Sequence, residues 1–140
     1  MTVQEVSNLL NEWAPLAYAE DFDNVGLLVG DYNEQVTNIL VSHDALENVV
    51  DEAITKECNL IVCFHPIIFS GLKQLTGKNY VQRVVQKAIK NDIAIFAIHT
   101  ALDNVAHGVN YGMCKALGLQ NVKILSPKKN HILKLTTYVP

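Results

Sequence analysis

The sequence predicts an α/β protein with a mostly parallel central sheet and helices on both faces. Strand-type and helix-type segments alternate along the chain. The strand-type segments at 38–42, 60–64 and 93–98 are continuously apolar rather than alternating, as strands buried on both faces of a parallel sheet are. The segments between them carry apolar residues at the i, i+3, i+4 spacing of amphipathic helices. Right-handed crossovers then place all three strand ends on one edge.

The elements follow in order. Thr2-Val3-Gln4-Glu5 has the form of a capping box. Val3, Val6, Leu9, Leu10 and Trp13 share one helical face, and Pro15 ends that helix. Glu20-Asp21-Phe22-Asp23-Asn24 reads on composition as a solvated polar turn. Gly26–Gly30 is a short strand bracketed by glycines. Asn38–Ser42 is the next strand and runs into His43-Asp44. A helix follows over 46–56, with Leu46, Val49, Val50, Ala53 and Ile54 on one face. Leu60–Phe64 is a buried strand that stops at His65-Pro66, and Cys63 within it reads as core.

A polar loop over 70–79 carries Lys73 and Lys78, placed to steer a phosphate or simply to face solvent. Val81, Val84, Val85, Ala88 and Ile89 mark the following helix. Ile93–Ile98 is another apolar strand, ending at His99. A last helix spans Val109 to Leu117, with Gly118 as its C′ residue. Segments 122–125 and 132–139 read as two further strands. Residues 1–125 form the α/β domain, and 126–140 read as a linker and the start of a following or inserted domain.

Composition narrows the function. The chain has 140 residues, a net charge of −3 and 18% charged residues. There is no basic stripe of the kind nucleic acid selects, and Lys128-Lys129 reads as a solvated loop. There is no apolar run of about 18 residues to span a membrane, and the N-terminus lacks the form of a secretion signal. Cys58, Cys63 and Cys114 form no C-x-x-C pair, which fits a reducing cytoplasm better than a disulfide framework. Neither G-x-x-x-x-G-K-[ST] nor G-x-G-x-x-G occurs, so a plain nucleotide-binding domain has no support.

The chemistry gathers at the strand ends. The first strand ends at His43-Asp44, the second at His65, and the third at His99 with Asp103 four residues on. In open α/β sheets this is the edge where ligands bind. Imidazole and carboxylate together suit Zn²⁺, Fe²⁺ or Mn²⁺. Taken singly, each histidine also reads as a surface or hydrogen-bonded side chain, and Asp103-Asn104 as a turn or helix entry.

Four stretches, WAPLAYAEDFDNVGLLVG (13–30), VSHDALENVVDEAI (41–54), CFHPIIFSGLKQLTGKN (63–79) and IHTALDN (98–104), resemble the Nif-three-like family. Its members are also called GTP cyclohydrolase I type 2 homologues or dinuclear metal centre proteins. The resemblance implies an α/β fold, a hexameric ring and a pair of divalent cations in each subunit. It places the family's metal-binding histidine on His65, a second metal ligand on Asp103, and His99 at the site; in a hydrolase His99, or else His43, would be the general acid/base. It sets the D-N-x-G motif at the site mouth on Asp23, Asn24 and Gly26. Phe64 stands where the family usually has another ligand histidine. The family's C-terminal H-x-x-x-E motif has no counterpart, so the resemblance implies the N-terminal segment of a longer chain. The expected cofactor is a divalent cation, Zn, Fe or Mn, bound weakly or not at all by the half-site present.

Two functions are expected. One is a metal-dependent hydrolase acting on a nucleotide-like small molecule. The other is an interaction or regulatory protein whose metal site is structural or vestigial.

Overall fold

A computed structural model of the chain describes residues 1–127. Four strands form one sheet in the order β1-β4-β3-β2, with β1 Gly26–Val29, β2 Ile39–Ser42, β3 Leu60–Cys63 and β4 Ala94–Ala97. β2, β3 and β4 are parallel, as the apolar runs predict. β1 is antiparallel to β4, with Gly26 opposite Ala97.

Helix α1, Val3–Trp13, covers one face. Its start is the predicted capping box: the Glu5 amide donates to Thr2 Oγ1 at 3.2 Å, and the Thr2 amide donates to Glu5 Oε2 at 2.9 Å. Two of the four amides that a helix start leaves without partners are thereby satisfied. Val3 and Val6 pack with Leu60, Val62, Ala94 and Phe96. Helices α2, Glu47–Thr55, and α3, Tyr80–Lys90, cover the other face. There Val50, Ala53, Val84, Val85 and Ala88 pack with Ile61, Cys63, Ile95 and Ala97. Successive residues of β3 and β4 thus feed opposite layers, and every residue of both strands is buried. Full burial of a side chain such as Leu60, Ile61 or Phe96 contributes about 1.5–3 kcal/mol.

β2 departs from expectation. Its apolar run predicts burial on both faces, yet Ile39 is 42% and Val41 76% exposed. β2 is the edge of the sheet, and only Leu40 reaches the layer beneath α2 and α3. Apolar periodicity does not reveal whether a helix extends over the outermost strand.

The loop between β3 and α3 is pinned by buried Gln82, whose Oε1 accepts from the amides of Thr76 and Lys78 at 3.1 and 3.0 Å. Short helix α4, His99–Asp103, follows β4 directly, and α5, Val109–Ala116, comes after it. Gly118 takes φ +68° just past α5, as a C′ glycine does. The strand expected at 122–125 does not form: Val122, Ile124 and Leu125 are exposed. A strand needs a ladder partner, and among the described residues none pairs with this segment. The strand expected at 132–139 and the Lys128-Lys129 loop lie outside the described residues.

Candidate metal centre

The register of the sheet assembles the site. Ser42, Cys63 and Ala97 stand in one row across β2, β3 and β4. Hydrogen bonding continues past the strand ends: the His65 amide donates to the His43 carbonyl at 3.1 Å, Ile98 to Cys63 at 3.1 Å, and His99 to Phe64 at 3.0 Å. Asp44, His65 and His99 therefore each follow second after an aligned strand end. Because β1 runs the opposite way, the segment before Gly26 arrives at this same edge and brings Asp23 with it.

Three imidazoles gather here. The ring centroids of His43 and His65 are 4.5 Å apart, and those of His65 and His99 5.4 Å. Each has a carboxylate on its Nδ1. Asp44 lies 2.7 Å from His65 Nδ1 and 3.3 Å from His43 Nδ1. Asp23 lies 2.8 and 2.9 Å from His99 Nδ1 through its two oxygens. A carboxylate on one ring nitrogen orients the imidazole and leaves the other nitrogen to a metal or a proton. Phe64 sits among the three rings, stacked on His43 at 5.5 Å and edge-on to His99 at 5.3 Å, and supplies no ligand atom.

The charges follow from these contacts. The hydrogen bond from His65 holds the Asp44 carboxyl below the usual carboxylate value, against a small opposing effect of burial and with help from His43. Burial pushes the Asp23 carboxyl up, but it is outweighed by hydrogen bonds from the Thr100 hydroxyl, His99 and the amides of Asn24 and Thr100, so this group too lies below its usual value. The Asp23 side chain has no solvent exposure. Burial first, and then the charge of Asp44, push the Cys63 thiol up to about 12. Cys63 is therefore not a thiolate at neutral pH, in keeping with its reading as core, and the donors at this edge are nitrogen and oxygen.

His43, Asp44 and His65 each offer a ligand atom, all within 4.8 Å of one another. Two imidazoles and a carboxylate fit a first-row divalent cation. Of the residues expected from the sequence, His65 and His99 come together. Asp103 ends α4, half-buried, and like His99 is not part of the His43, Asp44 and His65 cluster. Among the described residues its carboxylate makes no hydrogen bond, while its carbonyl accepts from Asn110.

The solvated-turn reading of 20–24 holds for Asp21 and Phe22, which are exposed in a turn, and is corrected at Asp23, an enclosed carboxylate on His99. The D-N-x-G motif marked the place, but nothing in the sequence marked the direction of β1 that brings it there. His99 itself has φ +28°, an unfavourable value for a non-glycine residue that the surrounding contacts must hold.

A family model described as Duf34/NIF3 (NGG1p interacting factor 3) matches residues 1–138. The chain belongs to the Duf34/NIF3 family. It is 40% identical over 140 residues to a GTP cyclohydrolase 1 type 2 homolog of Staphylococcus aureus strain MRSA252, spanning 100% of this chain and 38% of that protein. It is 41% identical over 138 residues to the Bacillus subtilis strain 168 protein of the same name, spanning 98% and 37%. The chain thus spans less than two fifths of the length of these Duf34/NIF3 relatives. Among solved structures, a Bacillus cereus protein related to NIF3 superposes with a TM-score of 0.86 at 39% identity, covering 91% of this chain and 35% of the other. Reduced HcgD from Methanocaldococcus jannaschii gives a TM-score of 0.83 at 25% identity, covering 90% and 50%.

Proposed function

We propose that this Duf34/NIF3 chain holds a divalent cation, Zn, Fe or Mn, as part of a metal-dependent hydrolase of the GTP cyclohydrolase 1 type 2 homologue kind. The observation that carries this reading is the pairing of His65 and His99 at one sheet edge, each with its Nδ1 on a carboxylate. His65 holds the cation, with Asp44 orienting its ring. Asp103 is the second protein ligand. A bound divalent cation would lower the pKa of a coordinated water and supply a nucleophile near neutral pH. His99 accepts or returns a proton at its free ring nitrogen.

The names of the relatives support a nucleotide-like small molecule as substrate, and a homo-oligomer of hexameric type rests on the family resemblance alone. We read residues 1–125 as the α/β domain; the reading of 126–140 as a linker and the start of a following or inserted domain falls mostly outside the described residues. Among the described residues no helix is long and apolar enough to cross a membrane. Three free cysteines support a reducing, cytoplasmic setting.

The second reading is a non-enzymatic interaction protein with a structural or vestigial metal site. Phe64, a side chain without ligand atoms amid three imidazoles, favours it.

The deciding experiment is a screen of purine nucleotides with Mn²⁺, Fe²⁺ or Zn²⁺ and a chelated control, on the wild type and on His65→Ala and Asp103→Ala. Cation-dependent hydrolysis that falls about 100-fold or more in both variants supports the enzyme. Hydrolysis that neither substitution touches overturns it. Cation binding without hydrolysis favours the second reading.

A further inference from the structure

We infer that Asp23 is a positioning residue that holds His99 in its Nδ1–H tautomer, so that Nε2 is the bare nitrogen presented to the site. The groups around the Asp23 carboxylate settle the proton's place. The Asn24 amide donates to Oδ1 at 2.8 Å, and the Thr100 amide donates to Oδ2 at 3.2 Å. The Thr100 hydroxyl already accepts from the Glu20 amide at 2.9 Å, which turns its own proton towards Asp23 Oδ2. The side chain has no solvent exposure, so bulk water does not compete for these bonds. Surrounded by donors, Asp23 is an ionised, acceptor-only group.

His99 Nδ1 lies within hydrogen-bond distance of both its oxygens, so Nδ1 must carry the proton. A neutral imidazole has one ring proton, which leaves Nε2 bare. The backbone fixes the base of the ring as well, through the His99 amide on the Phe64 carbonyl and the positive φ at this residue.

A purely structural alternative is plain: Asp23 would only tie the lead-in of β1 to the start of α4. Replacing the carboxylate separates the two roles. In Asp23→Asn one oxygen becomes an amide donor. At the Oδ1 position it faces the Asn24 N–H, and at the Oδ2 position the Thr100 N–H. Its acceptor would be either the second lone pair of the Thr100 hydroxyl oxygen or His99 Nδ1, the latter only once its proton has moved to Nε2. Asp23→Ala, which leaves the Nδ1–H no partner at position 23, is therefore the cleaner variant.

The role of this nitrogen in catalysis rests on the reading of the preceding section, but the tautomer does not. The test is multiple-bond ¹H–¹⁵N NMR of the metal-free protein, with chelator, at about pH 7.5, where imidazole is largely neutral. His99 is assigned by loss of its signals in His99→Gln. The expected result is a protonated Nδ1 and bare Nε2 in the wild type, with the bare-nitrogen resonance transferred mainly to Nδ1 in Asp23→Ala. A wild-type His99 protonated mainly on Nε2 would falsify the inference, and so would a folded Asp23→Ala with the wild-type tautomer. If that variant does not fold, the wild-type spectrum decides. A wild type with the Nδ1–H form but no cation-dependent hydrolysis of nucleotides supports the inference and counts against the enzyme reading alone.

Discussion

Asp23 and His99 are 76 residues apart in the chain, yet Asp23 Oδ2 lies 2.8 Å from His99 Nδ1. The bond ties the segment before β1 to the turn after β4, and it does so with a carboxylate that has no solvent exposure. Enclosed ion–dipole contacts of this kind make stability depend on pH.

Asp23 and Asp44 both lie below the ordinary carboxylate value of 3.8. Just below that value the unfolded chain binds more protons than the native one, so stability rises with pH there. The contribution is complete above the unfolded value and is lost as pH falls through the depressed native ones. Urea denaturation from about pH 3 to pH 7 should show this slope. Asp23→Ala should flatten it and should cost about 2 kcal/mol or more at neutral pH, because several enclosed donors lose their acceptor. An equal slope in the variant would remove Asp23 as its source.

Phe64 touches all three imidazoles without offering a ligand. Phe64→His places a fourth imidazole among them. Competition with a chromogenic chelator should then show Zn²⁺ affinity rising about tenfold or more, with a change in stability within about 1 kcal/mol. Unchanged affinity would mean that position 64 does not face the cation.

Gly30 follows β1 with φ +113°, and a Cβ there would lie 2.6 Å from the Cβ of Ala94. Both the conformation and the close approach require glycine. Gly30→Ala should cost about 1–3 kcal/mol in chemical denaturation. Wild-type stability in this variant would show that β1 and β4 can separate freely.

The exposed side chains of Ile39 and Val41 belong to β2, which among the described residues is paired on one side only. Such an edge is a template for pairing with another chain. Light scattering should show concentration-dependent association of the wild type, reduced by Val41→Lys, with stability altered by no more than about 0.5 kcal/mol. A wild type that stays monomeric at high concentration would refute this.

Most of the fold is legible in the sequence because its signals are local. The Thr2–Glu5 capping box, the apolar runs at β3 and β4, and the apolar face of α3 each mark an element within a few residues. The strand expected at 122–125 was not realised, since apolar residues alone do not supply a ladder partner. Of the site, His65 and His99 are visible as strand-end histidines. Their carboxylate partners are less so. Asp44 is read at the end of the first strand, but not its bond to His65, 21 residues on, and Asp23 resembles a solvated turn until its burial is known.

The sequence alone determined the α/β class, the parallel run of β2, β3 and β4, and the histidines at their ends. Periodicity and chain connectivity suffice for these. Tertiary structure alone decided that β1 runs antiparallel, that β2 is the outermost strand among the described residues, and that Asp23 is enclosed against His99. Strand direction and solvent exclusion depend on which distant segments come to lie side by side. No local pattern of apolar and polar residues encodes that neighbourhood.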